Sequence, residues 1–143
     1  MRFFLYFFLI FTSSACASST SSIPVNVESW ESMEINSFNM KIEEAYASGQ
    51  QWATKPELYV FNLFELSELK KISYEYSADS IEAPKNIDIT IIRDGFLDDS
   101  VRGEIQHIKL GKNNYGKWEV LYRGRAISCW RSKVLKYSSE ACP

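Results

Sequence analysis

The apolar residues of this chain change period once, and that switch limits the folds open to it. Phe38, Ile42, Ala45, Tyr46 and Trp52 recur at helical spacing, with Glu43 and Glu44 close to the start of the run. This spacing predicts an amphipathic helix over 38–52. The segment PELYVFNLFELSEL, from Pro56 to Leu69, fits both the helical and the alternating count. Pro56 suits a first helical turn, Thr54 offers a cap, Glu57 comes early and Lys70 and Lys71 close the run, so a second, largely buried helix is expected. Residues 25–35 show no firm period and read as a short helix or coil.

Beyond these helices the period is two. Ile72, Tyr74 and Tyr76 alternate with Ser73, Glu75 and Ser77, and Ile87, Ile89 and Ile91 alternate with Asp88 and Thr90. Both stretches read as half-buried strands. Val101–Leu110 and Lys117–Tyr122 follow, split by the turn sequence GKNNYG. Gly124 reads as a bulge or turn before 126–131 continues the sheet. Helices first and strands afterwards define an α+β fold. Two N-terminal helices are expected on one face of a curved antiparallel sheet of four to five strands.

The first residues carry an address. Met1-Arg2, the apolar run FFLYFFLIF and the small residues TSSACA match a secretory signal peptide over 1–17. The run is too short to span a roughly 30 Å hydrocarbon core. Ser13-Ser14-Ala15-Cys16 also resembles the box that places a lipidated cysteine at a new N-terminus, so anchoring through Cys16 stays open as an alternative. Residues 18–25 read as a flexible Ser-rich leader, and 26–143 as one globular domain. The expected location is the periplasm or the medium.

Cys129 and Cys142 are the cysteines left in the folded part. In an oxidising compartment they should pair. One histidine and two cysteines thirteen apart match no zinc spacing, and no metal or cofactor is expected. From Ser18 to Ser100 there are 15 acidic and 6 basic residues; from Val101 to Pro143 there are 3 and 9. The two halves nearly cancel, which argues against a general attraction to nucleic acid or anionic lipid.

The run LDDSVRGEIQHIKL (Leu97–Leu110), GKWEV (Gly116–Val120), Cys129 with Arg131 after it, and the closing Cys142-Pro143 resemble the C-terminal half of uncharacterised small secreted bacterial proteins. In those, a DDSV-R segment leads into strands with a W-x-V element and two late cysteines. The resemblance implies export and a disulfide and adds no catalytic residue. Trp130-Arg131-Ser132-Lys133 stands where that family has a glycine-rich basic run, which leaves the role of this loop open.

The acidic stretch DGFLDDSVRGE, Asp94 to Glu104, reads as a turn between two strands. Asp99 is expected to anchor it through backbone N–H groups, with Asp98 and Arg102 as an ion pair. Phe96 and Leu97 interrupt any calcium-ligand series. Tyr74, Tyr76, Trp118 and Tyr122 could form an aromatic platform, although aromatic residues on strands more often fill the core. The strongest binding candidates are Trp130, Arg131, Lys133, Lys136, Arg123 and Arg125, whose charges could equally neutralise the acidic first half.

The function these features imply is that of a monomeric, non-enzymatic binding or inhibitor module of the cell envelope. Its disulfide-closed basic and aromatic loop would meet an envelope protein or polysaccharide. The alternatives are a structural accessory role or a small hydrolase using Asp98, Asp99, Glu104 and His107, for which no nucleophile or orienting partner can be named from sequence.

Overall fold

The computed structural model describes residues 25–64 and 70–143. The signal-peptide stretch with Cys16 and the leader up to residue 24 lie outside the described residues, as do the last five positions of the second expected helix. The chain runs β1 (Glu31–Ser32), α1 (Asn36–Ala47), two short 3-10 turns (Gln51–Thr54 and Pro56–Leu58), α2 (Tyr59–Leu63), then β2 (Lys71–Ala78), β3 (Asn86–Asp94), β4 (Val101–Lys112) and β5 (Trp118–Cys129). The strands form one antiparallel sheet in the order β1-β5-β4-β3-β2. This is a four-strand meander with a two-residue strand added at its far edge.

Alternation along the strands divides the sheet into two faces. Ile87, Ile89 and Ile91 of β3 lie opposite Leu110, Ile108 and Gln106 of β4, and on β5 Val120 and Trp118 continue that face. Phe38 and Ile42 of α1 and Tyr59, Val60 and Leu63 of α2 join these side chains in one buried cluster. Polar groups fasten it: the Asn39 side chain donates to the Val120 carbonyl at 3.0 Å and accepts from the Val120 N–H at 2.7 Å. The Tyr59 hydroxyl donates to the Ala53 carbonyl at 2.7 Å.

On the opposite face Ile105, Ala126 and Tyr137 form a smaller cluster, with Val25, Val27 and Ile92 packed against it. Val25, assigned to the leader by sequence, thus packs on the domain. Two isolated backbone bridges hold the C-terminal segment there. Val27 bridges Tyr137 in parallel and Ile127 bridges Ser138 antiparallel. Cys129 and Cys142 are joined, with Cα atoms 5.6 Å apart.

Four local expectations need correction. The first helix stops at Ala47, because Gly49 takes φ +69° and a 3-10 turn carries Trp52 instead. The second α-helix is five residues long, and Thr54 does not cap it: its hydroxyl donates back to the Gln51 carbonyl at 2.9 Å. The residues read as a fourth strand and its continuation are one strand of twelve. Gly124 is regularly paired with His107, and the two register shifts fall instead at Arg102, between Val101 facing Cys129 and Gly103 facing Ser128, and at Leu121, where Lys109 faces Tyr122 but Leu110 faces Val120.

Candidate functional site

The acidic stretch joins β3 to β4, as its turn residues require. Gly95 sits at φ +77° and donates its N–H to the Arg102 carbonyl at 2.9 Å. Asp98, not Asp99, is the anchor. Its carboxylate accepts from the Ser100 and Val101 N–H groups at 2.7 and 2.6 Å. The Val101 and Ser100 N–H groups hold that carboxyl below the usual aspartate range. Arg102 pairs with Asp94 at 3.2 Å rather than with Asp98. Asp99 accepts from the Ser100 hydroxyl at 3.3 Å.

The C-terminal loop leaves β5 beside this turn. The Trp130 N–H donates to the Ser100 carbonyl at 2.9 Å, its indole N–H donates to the Asp98 carbonyl at 3.0 Å, and the Arg102 guanidinium lies 5.6 Å above its ring. Trp130 is therefore fixed in place while 42% of its surface stays exposed. Val134 and Leu135 are 63% and 51% exposed. Arg131 reaches the Pro143 carbonyl at 3.4 Å, and Lys136 is paired with Glu28 at 2.9 Å. Lys133 stands exposed on the same loop. Two hollows flank it. One of about 190 Å³ has Leu135, Tyr137, Lys71 and Asp94 among its lining, and one of about 210 Å³ includes Arg131, Ser132 and Lys136.

Arg123 and Arg125 do not belong to this group. Both lie on the helix side of the sheet with Glu104, which is 4% exposed. Glu104 accepts from Arg93 at 2.6 Å and Arg125 at 2.7 Å, and from the Gln106 amide. Burial pushes its carboxyl up, but hydrogen bonds from Gln106, Arg93 and Arg125 outweigh this and leave it below the usual glutamate range. Arg123 donates to the side-chain amide oxygen of Gln106 at 2.8 Å and sits 4.2 Å over the Phe38 ring. Desolvation lowers its guanidinium from the usual value. Arg125 also approaches Glu31 at 3.8 Å. These two arginines thus serve a charged network inside the fold, along with one of the acidic residues of the first half.

The four acids and bases suggested for hydrolysis are not brought together. Glu104 faces the helices and its neighbour His107 faces the other way, while Asp98 is bound up in the turn. His107 does acquire a partner that sequence could not name: Nε2 lies 2.7 Å from Oδ1 of Asp88, across the β3–β4 pair. The proposed platform also divides. Trp118 is core, Tyr74 and Tyr76 lie on the helix side of β2, and Tyr122 is on the opposite face near Trp30. Trp30 was missed because it precedes a strand only two residues long, too short to show a period.

No family model, curated protein or solved structure matches this chain. Among the described residues, no helix is long and apolar enough to cross a membrane.

Proposed function

We propose that this chain is an exported, non-enzymatic binding module of the cell envelope that holds an acidic protein partner through the loop Trp130–Leu135. The observation that carries this reading is the loop's combination of order and exposure. It has an exposed Trp130, Val134 and Leu135 beside the cations Arg131 and Lys133, yet it is closed by Cys129–Cys142 and fixed at Trp130 and Tyr137. A surface ordered before contact loses less conformational entropy on binding. A central aromatic with apolar neighbours and a basic rim is the usual composition of an interface hot spot. The leader-like N-terminus and the likeness to small secreted bacterial proteins support export, and the disulfide fits an oxidising compartment. Lys136, engaged by Glu28, Arg125, engaged by Glu104, and Arg123, engaged by Gln106 and Phe38, are left out of the interface.

The test is affinity capture from envelope extract with the wild-type protein and two variants whose melting temperatures are checked. Trp130→Ala should weaken retention of a protein partner by about 2 kcal/mol or more, the hot-spot scale. The double reversal Arg131→Glu, Lys133→Glu should chiefly slow association and change its salt dependence. If both variants retain the same proteins as wild type, the loop is not the interface.

A further inference from the structure

The sheet face opposite the helices is covered at one end by the C-terminal segment. Its other end carries a row of side chains that no described element overlies. The register slip at Leu121 matters here. Leu110 and Val120 face the helices, and Lys109 and Tyr122 face away, so the extra residue turns Leu121 and Tyr122 to the same side. Two glycines let these side chains lie down on the sheet. A Cβ at Gly111 would meet Leu121 Cδ1 at 2.6 Å; one at Gly124 would meet the Tyr122 hydroxyl at 2.5 Å and Trp30 Cε3 at 3.1 Å. His107 stands between the two aromatic side chains, 6.0 Å from the Trp30 ring and 6.1 Å from the Tyr122 ring. Beyond it, His107 holds the carboxylate of Asp88, whose side chain is 51% exposed.

We infer that Trp30, Tyr122, Leu121, His107 and Asp88 form a saccharide-binding surface. The chemistry of the row selects this ligand. A pyranose presents an apolar C–H face, which settles on an aromatic or aliphatic surface, and a rim of hydroxyls, which needs fixed polar acceptors. Asp88 is such an acceptor, already oriented by His107 and still open to water. A hydroxyl donating to it makes a charge-assisted bond.

The other ligand classes fit less well. Lys109 shares this face with Asp88, Glu75 and Glu119, so it offers no positive field to a polyanion or to the acidic partner proposed for the loop. β3 and β4 are paired along both edges, so a peptide could not extend the sheet here. The row crosses from β3 to the strand beside Trp30, about 14 Å at three strand spacings, which suits an oligosaccharide better than one sugar.

The experiment uses the purified full-length chain and neutral hexasaccharides of glucose, mannose and N-acetylglucosamine, with calorimetry and indole fluorescence as readouts. At least one should bind. Trp30→Ala and Tyr122→Ala should each weaken it tenfold or more, while Trp30→Phe keeps most of the affinity. Leu121→Asn, at a residue 54% exposed, should also weaken binding and covers the case in which an aromatic variant fails to fold. Trp130→Ala should leave saccharide affinity unchanged, which separates this surface from the loop. The inference is overturned if no hexasaccharide binds, if binding survives these substitutions in folded protein, or if Trp130→Ala abolishes it.

Discussion

Glu104 shows what a single residue type conceals in sequence. Its place in an acidic stretch suggested acid–base chemistry, yet its carboxylate is enclosed by Arg93, Arg125 and Gln106 at the helix side of the sheet. No local pattern announces such a site, because its partners come from three strands. The Asp98–Asp99 pair is a similar case. Both have the short acceptor side chain a turn needs, and only the backbone path decides that Asp98 meets two N–H groups. Glu104 carries a pH prediction. Its folded-state carboxyl lies below the usual range, so its contribution is fully present above the unfolded value near 4.3 and disappears as pH falls through the folded value. Glu104→Gln should lower stability at pH 7 by about 2 kcal/mol. That is less than the roughly 3–5 kcal/mol for a fully buried broken pair, because the Arg125 side chain is 36% exposed. The variant should also lose less stability than wild type below about pH 4. Urea melts at pH 7 and pH 3.5 compare the two; parallel losses on acidification would show that Glu104 is not responsible.

At the scale of elements, strands were legible where one face is buried and the other is not. Ile87, Ile89 and Ile91 alternate because one face meets α1 and α2 and the other does not. Helix ends were less legible, since Gly49 and the 3-10 turns interrupt an apolar spacing that continues past them. The slip at Leu121 was invisible, because pairing register depends on the partner strand. Glycines record where strands come close, and Gly103 and Gly124 do so differently. A Cβ at Gly103 would meet the Arg93 carbonyl oxygen at 2.6 Å and Asp94 Cα at 3.2 Å, both backbone atoms of β3. Gly103→Ala must push two paired strands apart and should cost about 2 kcal/mol, within the range for overpacking. At Gly124 the obstacles are side-chain atoms of Tyr122 and Trp30, which can swing away. Replacing glycine also removes the roughly 0.5–1 kcal/mol that glycine costs in a strand. Gly124→Ala should therefore stay within about 1 kcal/mol of wild type while displacing both aromatic rings. Equal losses for the two variants in chemical denaturation would contradict this assignment.

Across the whole molecule, the opposed charges of the two halves meet at several places: Lys136 with Glu28, Lys117 with Glu43, and Arg125 with Glu31. These pairs are exposed, or nearly so, and each contributes little. They guide the C-terminal half against the N-terminal one but do not secure the last residues. The Cys129–Cys142 bond does, and its effect should be local in the folded state. The large buried cluster of helices and sheet contains no residue beyond Val120, so opening the bond leaves that core untouched. The segment it closes is already held by the Tyr137 and Ser138 bridges, so its end cannot drift far while the sheet is intact. In the unfolded chain no such bridges exist, and there the crosslink removes the most freedom. For a separation of 13 residues the chain-entropy estimate is about 3 kcal/mol of stabilisation. Replacing both cysteines by serine should thus lower the melting temperature but preserve one cooperative transition and the far-UV spectrum. Amide exchange should accelerate over 130–142 under native conditions and stay slow in β3 and β4. Accelerated exchange throughout the sheet would mean that the bond supports the core directly, and the loop would then be an integral part of the fold rather than a surface carried by it.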